Sequence, residues 1–348
     1  MFTVADARRC AVDLFMQSAI LKTQPRSSLT LDADVLLQRF LNKPRAWLFA
    51  HDDADISPIW ELFYAAIEQR CTGLPIAYIT GEKDFWGLPF HVSPDVLIPK
   101  PDTELLVERS LAIIREKAAA LRQEQTLFIL DPCTGSGCVA ISILHTLETE
   151  GIRNICCIAA DISPAALAIA RFNAQRLLSA ETQTRLHIIE GDMRTLPETI
   201  TRFRESLRLD ATPFPKAADR TSSPPLSAEY LRFDLIAANP PYVPSALTQE
   251  LLKDGRSEPA LALDGGSDGL DFIRILTNNT RTVLNRNGVL LSEVGEYHAQ
   301  AARRLFETAG FSDIRIHQDL AGQDRLIEGV SEQPGMYQKP AASHRFCQ

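Results

Sequence analysis

Apolar residues recur at helical spacing through the first part of the chain. Val4 to Ile20, Asp32 to Leu41, Pro44 to Ala50 and Pro58 to Arg70 each gather their large side chains on one face. Ser57-Pro58 is a helix start and Thr72-Gly73 a helix stop, so residues 1–73 are expected to form a small helical bundle. The period then changes. Ile76 to Val92 predicts a hairpin within a linker of residues 74–100, and Thr103 to Ala120 predicts a helix capped by Asp102 or Thr103. Beyond that helix, short unbroken apolar runs alternate with helical stretches. Strands are expected from Leu127, from Ile155 to Ala160, from Arg185 to Glu190, through Asp234 to Ala238, and from Gly288 to Glu293. Helices are expected from Ala165 to Leu178, with Ser163 as cap and Pro164 in the first turn, and from Ala299 to Ala309. Ile314 to His317 and Arg325 to Val330 read as a closing antiparallel pair. Strand–helix alternation of this kind predicts an α/β domain over residues 101–330. Two stretches fall outside the pattern. Residues 197–231, with Pro213, Pro215, Pro224 and Pro225 among serines, are expected to be a flexible insertion, and residues 331–348 a loose tail.

Composition narrows the function mainly by exclusion. Lys and Arg number 36 against 44 Asp and Glu, a formal net charge of −8, which gives no global pull toward nucleic acid. Residues 1–87 carry nine Lys/Arg and eleven Asp/Glu, 9 − 11 = −2, so the helical part is no basic arm. No apolar run approaches a membrane span, and the first twenty residues mix polar and apolar positions too finely for a signal peptide. The seven cysteines form no C-x-x-C pair, and neither Cys133 with Cys138 nor Cys156 with Cys157 has metal-site spacing. Reduced thiols, a cytoplasmic location and no metal are the expectation. His91 and His298 have no spacing that marks them as catalytic.

Chemistry gathers where strands end. The run Ile236-Ala237-Ala238 stops on Asn239-Pro240-Pro241-Tyr242. Proline fixes φ and has no N–H, which holds the Pro240 and Pro241 carbonyls in place and keeps Asn239 extended. The Asn239 side-chain oxygen and the Pro240 carbonyl are then suited to accept both hydrogens of one NH₂ group, with the Tyr242 ring over its plane. The same four residues also suit a plain turn closing a core strand. Leu127 to Ile141 run from strand through Cys133-Thr134-Gly135-Ser136-Gly137 into a helix, so that backbone N–H groups can approach a ligand. The spacing is not that of the dinucleotide fingerprint. Asp161 closes the next strand and suits either a ribose contact or a simple cap, and Gly191-Asp192-Met193 closes the one after.

Strand–glycine turn, strand–Asp161, strand–Gly191-Asp192 and strand–Asn239-Pro240-Pro241-Tyr242, in that order, resemble the class I S-adenosylmethionine-dependent methyltransferases. Residues 74–107, from Leu74-Pro75-Ile76-Ala77-Tyr78 through Phe85-Trp86-Gly87 to Ile98-Pro99-Lys100-Pro101, resemble the entry segment of the release-factor glutamine N5-methyltransferases. Ser257-Glu258-Pro259-Ala260-Leu261 with Gly265-Gly266-Ser267-Asp268-Gly269, and Asp319-Leu320-Ala321-Gly322-Gln323-Asp324-Arg325, resemble that family's later loops.

The resemblance implies a Rossmann-like fold, a seven-stranded, mostly parallel sheet with helices on both faces, preceded by the helical bundle. It implies S-adenosyl-L-methionine as cofactor, with S-adenosyl-L-homocysteine as product. The implied substrate is the glutamine of the Gly-Gly-Gln motif in class I peptide chain release factors, docked by the helical domain. By position, Cys133 to Gly137 would face the methionine moiety, Asp161 the ribose, Asp192 and Met193 the adenine, and Asn239 the transferring methyl. Asn239, Pro240 and Tyr242 would be the catalytic residues. Departures from the family pattern are Lys100 in place of the usual Arg, Cys133 where glycine is common, the variant Gly255-Arg256-Ser257-Glu258, and the 197–231 insertion. A DNA or RNA amino-methyltransferase would share the Asn-Pro-Pro-Tyr socket, but would need a basic track and base flipping. A non-catalytic, cofactor-binding adaptor is the remaining alternative.

Overall fold

The computed structural model describes residues 2–121, 125–209, 231–253 and 258–332. The chain falls into two units, Met1–Lys100 with Val243–Gly269, and Pro101–Tyr242 with Leu270–Gln348. The linker expected at 74–100 thus belongs with residues 1–73 and with the segment that follows the Asn-Pro-Pro-Tyr motif.

In the first unit, helices Val4–Gln17, Arg26–Leu41, Arg45–Ala50 and Trp60–Cys71 surround a core of Phe15, Leu29, Leu36, Leu37, Leu48, Phe63 and Ile67. A capping box between Thr3 and Asp6 starts the first helix. That helix ends at Gln17 rather than Ile20, because Ser18 leaves the helical conformation and its hydroxyl donates to the Cys71 carbonyl at 2.8 Å. The second begins at Arg26, six residues before the expected start, since Pro25 opens it and Leu29 already faces the core. Fully buried Asp34 is paired with Arg8 at 2.6 Å and Arg45 at 3.1 Å. Ile76–Thr80 is a short helix where a hairpin strand was expected. Only β1 (Glu82–Phe85) and β2 (Leu88–His91) pair, across a Trp86-Gly87 turn with φ of 54° and 70°. The Glu258 carboxylate ties later motif residues to earlier ones, accepting from Lys100 Nζ at 2.6 Å and from the Ile98 N–H at 3.3 Å. Lys100 therefore makes a single point contact there. Gly255, Arg256 and Ser257 lie outside the described residues.

The second unit is built on β3 (Leu127–Asp131), β4 (Ile155–Asp161), β5 (Leu186–Glu190), β6 (Phe233–Ala238), β7 (Leu284–Glu293), β8 (Ser312–Gln318) and β9 (Asp324–Ser331). They form one sheet in the order β5-β4-β3-β6-β7-β9-β8, parallel from β5 to β7 and antiparallel at β9 and β8. This is the seven-stranded, mostly parallel sheet that the sequence resemblance implies. A parallel sheet covered on both faces demands uninterrupted apolar strands, and Ile155 to Ala160 are buried at every position. Leu130, Ile158, Ile236 and Leu290, on four adjacent strands, have no exposed surface, each contributing about 1.5–3 kcal/mol by burial.

The helix Glu104–Ala120 starts as expected, but neither candidate caps it by a side chain; Thr103 is used elsewhere and Asp102 lies 3.4 Å from Arg325. Leu196–Leu209 is a helix, so the start of the segment expected to be a flexible insertion is regular structure. Residues 210–230 of that segment and 333–348 of the tail lie outside the described residues. No helix among the described residues is long and apolar enough to cross a membrane.

Candidate active site

Strand order creates the site. The chain winds outward from β3 through β4 to β5, then returns to the other side of β3 with β6 and β7. The reversal lies between β3 and β6, and ligands of open α/β sheets bind outside the carboxyl ends of the strands at such a point. The residues at those ends are Asp161 on β4, Asp131 and Cys133 on and after β3, Asn239 after β6, and Glu293 on β7. Pairing of Ala238 with Ser292 sets Asn239 and Glu293 in neighbouring register.

The turn after β3 is shaped by two left-handed glycines. Gly135 has φ 53°, and a Cβ there would meet nothing within 4 Å, so the turn opens onto free space. Gly137 has φ 82°, and a Cβ would stand 2.7 Å from Ile141 Cδ1. Buried Asn173 donates from Nδ2 to the Ser136 carbonyl at 2.9 Å, and the Thr134 hydroxyl donates to Asp131 Oδ2 at 2.8 Å. The Gly135 N–H donates to Asp161 Oδ2 at 2.8 Å, and the Ser163 N–H to Asp161 Oδ1 at 3.0 Å. Asp161 therefore shapes the turn, with the Ile162 N–H as a further donor to its carboxylate. The Ser163 hydroxyl caps the next helix. The Gly191 N–H donates to the Asp161 carbonyl at 2.9 Å, bringing the end of β5 beside it. Asp192 holds the Arg194 N–H at 2.8 Å, while Met193 is buried in the core with Leu196 and Ile200.

Around Asn239 the structure is a linked set of side chains. Its Nδ2 donates to the Thr103 hydroxyl at 3.0 Å, and no described residue donates to its Oδ1. Its backbone N–H points to the Cys133 sulfur. Pro240 and Pro241 are buried and Tyr242 is half-buried. The Tyr242 hydroxyl donates to Glu293 Oε1 at 2.9 Å, with burial and that carboxylate raising the phenol pKa.

The site is a negative field. Burial lifts Asp131 to about 7 against the lowering effect of the Thr134 hydroxyl, and Asp161 adds to the rise. Burial likewise lifts Glu293 to about 7, opposed by the Thr103 and Tyr242 hydroxyls and by Arg325. Burial and the charges of Asp131, Asp161 and Glu293 all push the Cys133 thiol well up, so it is a neutral thiol lining, with no nucleophilic character. A cationic group lodged among these carboxylates would be stabilised electrostatically.

Cys133, Asp161 and Asn239, chosen from sequence, are thus brought together at the carboxyl ends of adjacent strands. Thr134 and Ser136 are buried behind the turn, and Met193 is packed into the core. Thr103 and Glu293 were missed as site residues. Thr103 reads locally as a helix cap, and the one signal for Glu293 was an acidic residue ending a buried strand, the pattern already noticed at Asp161. Among the described residues no cluster of three or more His, Cys, Asp or Glu is arranged to hold a metal.

Known proteins resemble this chain along most of its length. A family model described as the PrmC N-terminal domain matches residues 16–81. The release factor glutamine methyltransferase of Moorella thermoacetica is 35% identical over 299 residues, covering 85% of this chain and 89% of that protein. Its counterpart in Xylella fastidiosa is 36% identical over 302 residues, with 86% and 92% covered. That of Vibrio cholerae is 33% identical over 328 residues, with 94% and 96% covered.

Proposed function

The chain belongs to the release factor glutamine methyltransferases, and from that premise we propose that it moves a methyl group from S-adenosyl-L-methionine to the N5 nitrogen of the glutamine in the Gly-Gly-Gln motif of class I peptide chain release factors. The observation that carries this is the Asn239 carboxamide: its NH₂ end is occupied by Thr103 and its oxygen is taken by no described residue. An acceptor held this way suits the NH₂ of another carboxamide.

The residues at the strand ends fit the cofactor. Gly135 opens onto free space, and the carboxylates of Asp131, Asp161 and Glu293 favour a cation near Cys133. In this assignment the turn from Cys133 through Thr134, Gly135 and Ser136 to Gly137 holds the methionine moiety, Asp161 the ribose hydroxyls, and Asp192 with the Met193 backbone the adenine. When bound, the cofactor supplies a methyl group on a positively charged sulfur.

A glutamine nitrogen is a weak nucleophile because its lone pair is delocalised into the carbonyl. Asn239 Oδ1 and the Pro240 carbonyl accept its two hydrogens, which orients the nitrogen and favours lone-pair density on the face toward the methyl. Tyr242, fixed through its hydroxyl on Glu293, covers the amide plane. As the N–C bond forms, the C–S electron pair goes to sulfur and positive charge grows on nitrogen. The two acceptor dipoles stabilise that charge, and the excess proton then leaves a strongly acidic protonated amide. No base has to act first. The helical unit presents Phe49, 62% exposed, under Arg8 and Arg45 at 5.2 and 5.5 Å, and it is assigned to docking the release factor.

The test is transfer of labelled methyl from the cofactor to a purified class I release factor. Label should appear on the Gly-Gly-Gln glutamine, and should be absent when that glutamine is replaced or when duplex DNA is the acceptor. Label on DNA with none on the release factor would overturn the assignment.

A further inference from the structure

Thr103 and Glu293 stand directly behind the two side chains that the reaction uses, and neither has been given a part in it. We propose that Thr103 and Glu293 are positioning residues that decide which end of the Asn239 carboxamide faces the substrate. This rests on Asn239 being the acceptor for the substrate amide.

A carboxamide turned by half a rotation has the same shape but offers NH₂ where it offered oxygen. Only its hydrogen-bond partners distinguish the two orientations. The sole side-chain partner of the Asn239 amide among the described residues is the Thr103 hydroxyl, 3.0 Å from Nδ2. A hydroxyl can accept from Nδ2 or donate to Oδ1, so Thr103 alone leaves the direction open. Glu293 removes the choice. Its carboxyl lies against the same hydroxyl and is 1% exposed. Oε1 accepts from Tyr242 at 2.9 Å, whereas buried Oε2 has no partner of good hydrogen-bond geometry. An ionised carboxylate can only accept, so it draws the Thr103 proton to itself and leaves that oxygen's lone pairs to Asn239. The Asn239 NH₂ must then face Thr103, and Oδ1 must face the substrate.

The device is sensitive to pH. The groups facing Glu293 are Asp102, Thr103, Cys133, Cys138, Tyr242 and Arg325, and burial outweighs them to leave the carboxyl at about 7. Below that pH a protonated Glu293 donates to Thr103, reverses the hydroxyl and turns the Asn239 amide the wrong way. Turnover should therefore fall as pH drops, with a midpoint at or below about 7, because a bound cation favours the ionised carboxyl.

The experiment measures labelled methyl transfer to the release factor for Glu293→Gln, Thr103→Val, Thr103→Ser and the double variant Thr103→Val/Glu293→Gln. Binding of S-adenosyl-L-homocysteine by calorimetry reports whether the site is folded. In Glu293→Gln, the Tyr242 proton keeps the amide oxygen in place of Oε1, so the new NH₂ points at Thr103 and reverses it. Glu293→Gln and Thr103→Val should each lower kcat at least about tenfold, with KM for the release factor and affinity for the homocysteine product within about threefold. Thr103→Ser should stay within about threefold of the parent, and the double variant should be no slower than the slower single, because both act through one chain of bonds. The acid limb should vanish in Glu293→Gln. Unchanged kcat in Thr103→Val, equal loss in Thr103→Ser, or additive losses would overturn the proposal. Should Glu293→Gln not fold, the Thr103→Val and Thr103→Ser pair decides. Asn239→Ala in the same assay separates the two levels. Normal turnover there removes the acceptor role itself, whereas an impaired Asn239→Ala beside a normal Thr103→Val removes only the positioning role.

Discussion

Replacing Asn239 by Ala removes one acceptor and one internal tie while leaving Asp161 and the glycine turn untouched. In the ground state the Oδ1 bond to a neutral substrate amide is worth about 1 kcal/mol net. As methyl transfer proceeds, the donor nitrogen gains positive charge and the bond becomes charge-assisted, worth about 1.5–3 kcal/mol. That difference of about 0.5–2 kcal/mol appears in kcat and not in KM. Asn239 also orients the nitrogen, and loss of one preorganised group at a reacting centre typically totals about 2.7–4 kcal/mol. A loss near 3 kcal/mol is a little over a hundredfold in kcat. Losing the Nδ2 contact with Thr103 at 3.0 Å should cost about 1 kcal/mol of stability, readable as a lower urea midpoint. The assay is single-turnover methyl transfer at saturating cofactor, with calorimetric binding of S-adenosyl-L-homocysteine alongside. Turnover within threefold of the parent, or a loss confined to cofactor KM, would show that Asn239 is not the acceptor and that the chemistry lies elsewhere at the strand ends.

Asp161→Asn keeps one acceptor oxygen but sets an NH₂ against a backbone N–H, and it removes the charge meant for the ribose hydroxyls. Cofactor KM should rise about 10–100-fold with kcat at saturation within about threefold, and an unaltered KM would refute the ribose assignment. Gly137→Ala combines φ 82° with a Cβ 2.7 Å from Ile141 Cδ1, so urea unfolding should show a loss of about 1–3 kcal/mol. Gly135→Ala, also left-handed but with nothing within 4 Å of its Cβ, should lose less. Equal losses would mean that strain in φ, and not the Ile141 contact, sets the cost. Acid stability should depend on Glu328. Burial raises its pKa, but hydrogen bonds from His317 and Arg109 outweigh burial and hold it at about 2, against an ordinary 4.5. A depressed folded-state pKa contributes stability that is present above about pH 4.5 and lost as pH falls toward about 2, on the order of 3 kcal/mol. Arg109→Met should reduce stability at pH 7 and narrow the gap between pH 7 and pH 3 in urea titrations. An undiminished gap would assign the acid sensitivity to other carboxylates.

The legible part of this molecule was local. Ser163-Pro164 announced a helix and formed one, capped by the predicted hydroxyl. Where a neighbour intervened, local reading erred. Ser18 ended the first helix early through the Cys71 carbonyl, 53 residues away, and Pro25 began the second before its apolar stripe was evident. Thr103 looked like a cap by composition, but its hydroxyl serves Asn239 across 136 residues. Met193 sat at the right place in the chain, yet its side chain belongs to the core.

Strand identity, the glycine turn, the acidic strand ends and the Asn-Pro-Pro-Tyr tetrapeptide follow from the sequence alone, because φ/ψ restriction, side-chain period and capping act over a few residues. Which strand lies beside which is decided only by the tertiary structure, because packing between distant segments has no local signature. That order sets Asn239 beside the β3 turn and Glu293 behind Tyr242, with Asn239 bonded to Thr103, Tyr242 bonded to Glu293, and the free Glu293 oxygen near the Thr103 hydroxyl. The tetrapeptide supplies the acceptor. The fold supplies the carboxylate that fixes its direction, since a buried charge in a low-dielectric interior aligns the nearest hydroxyl as no neighbour along the chain could.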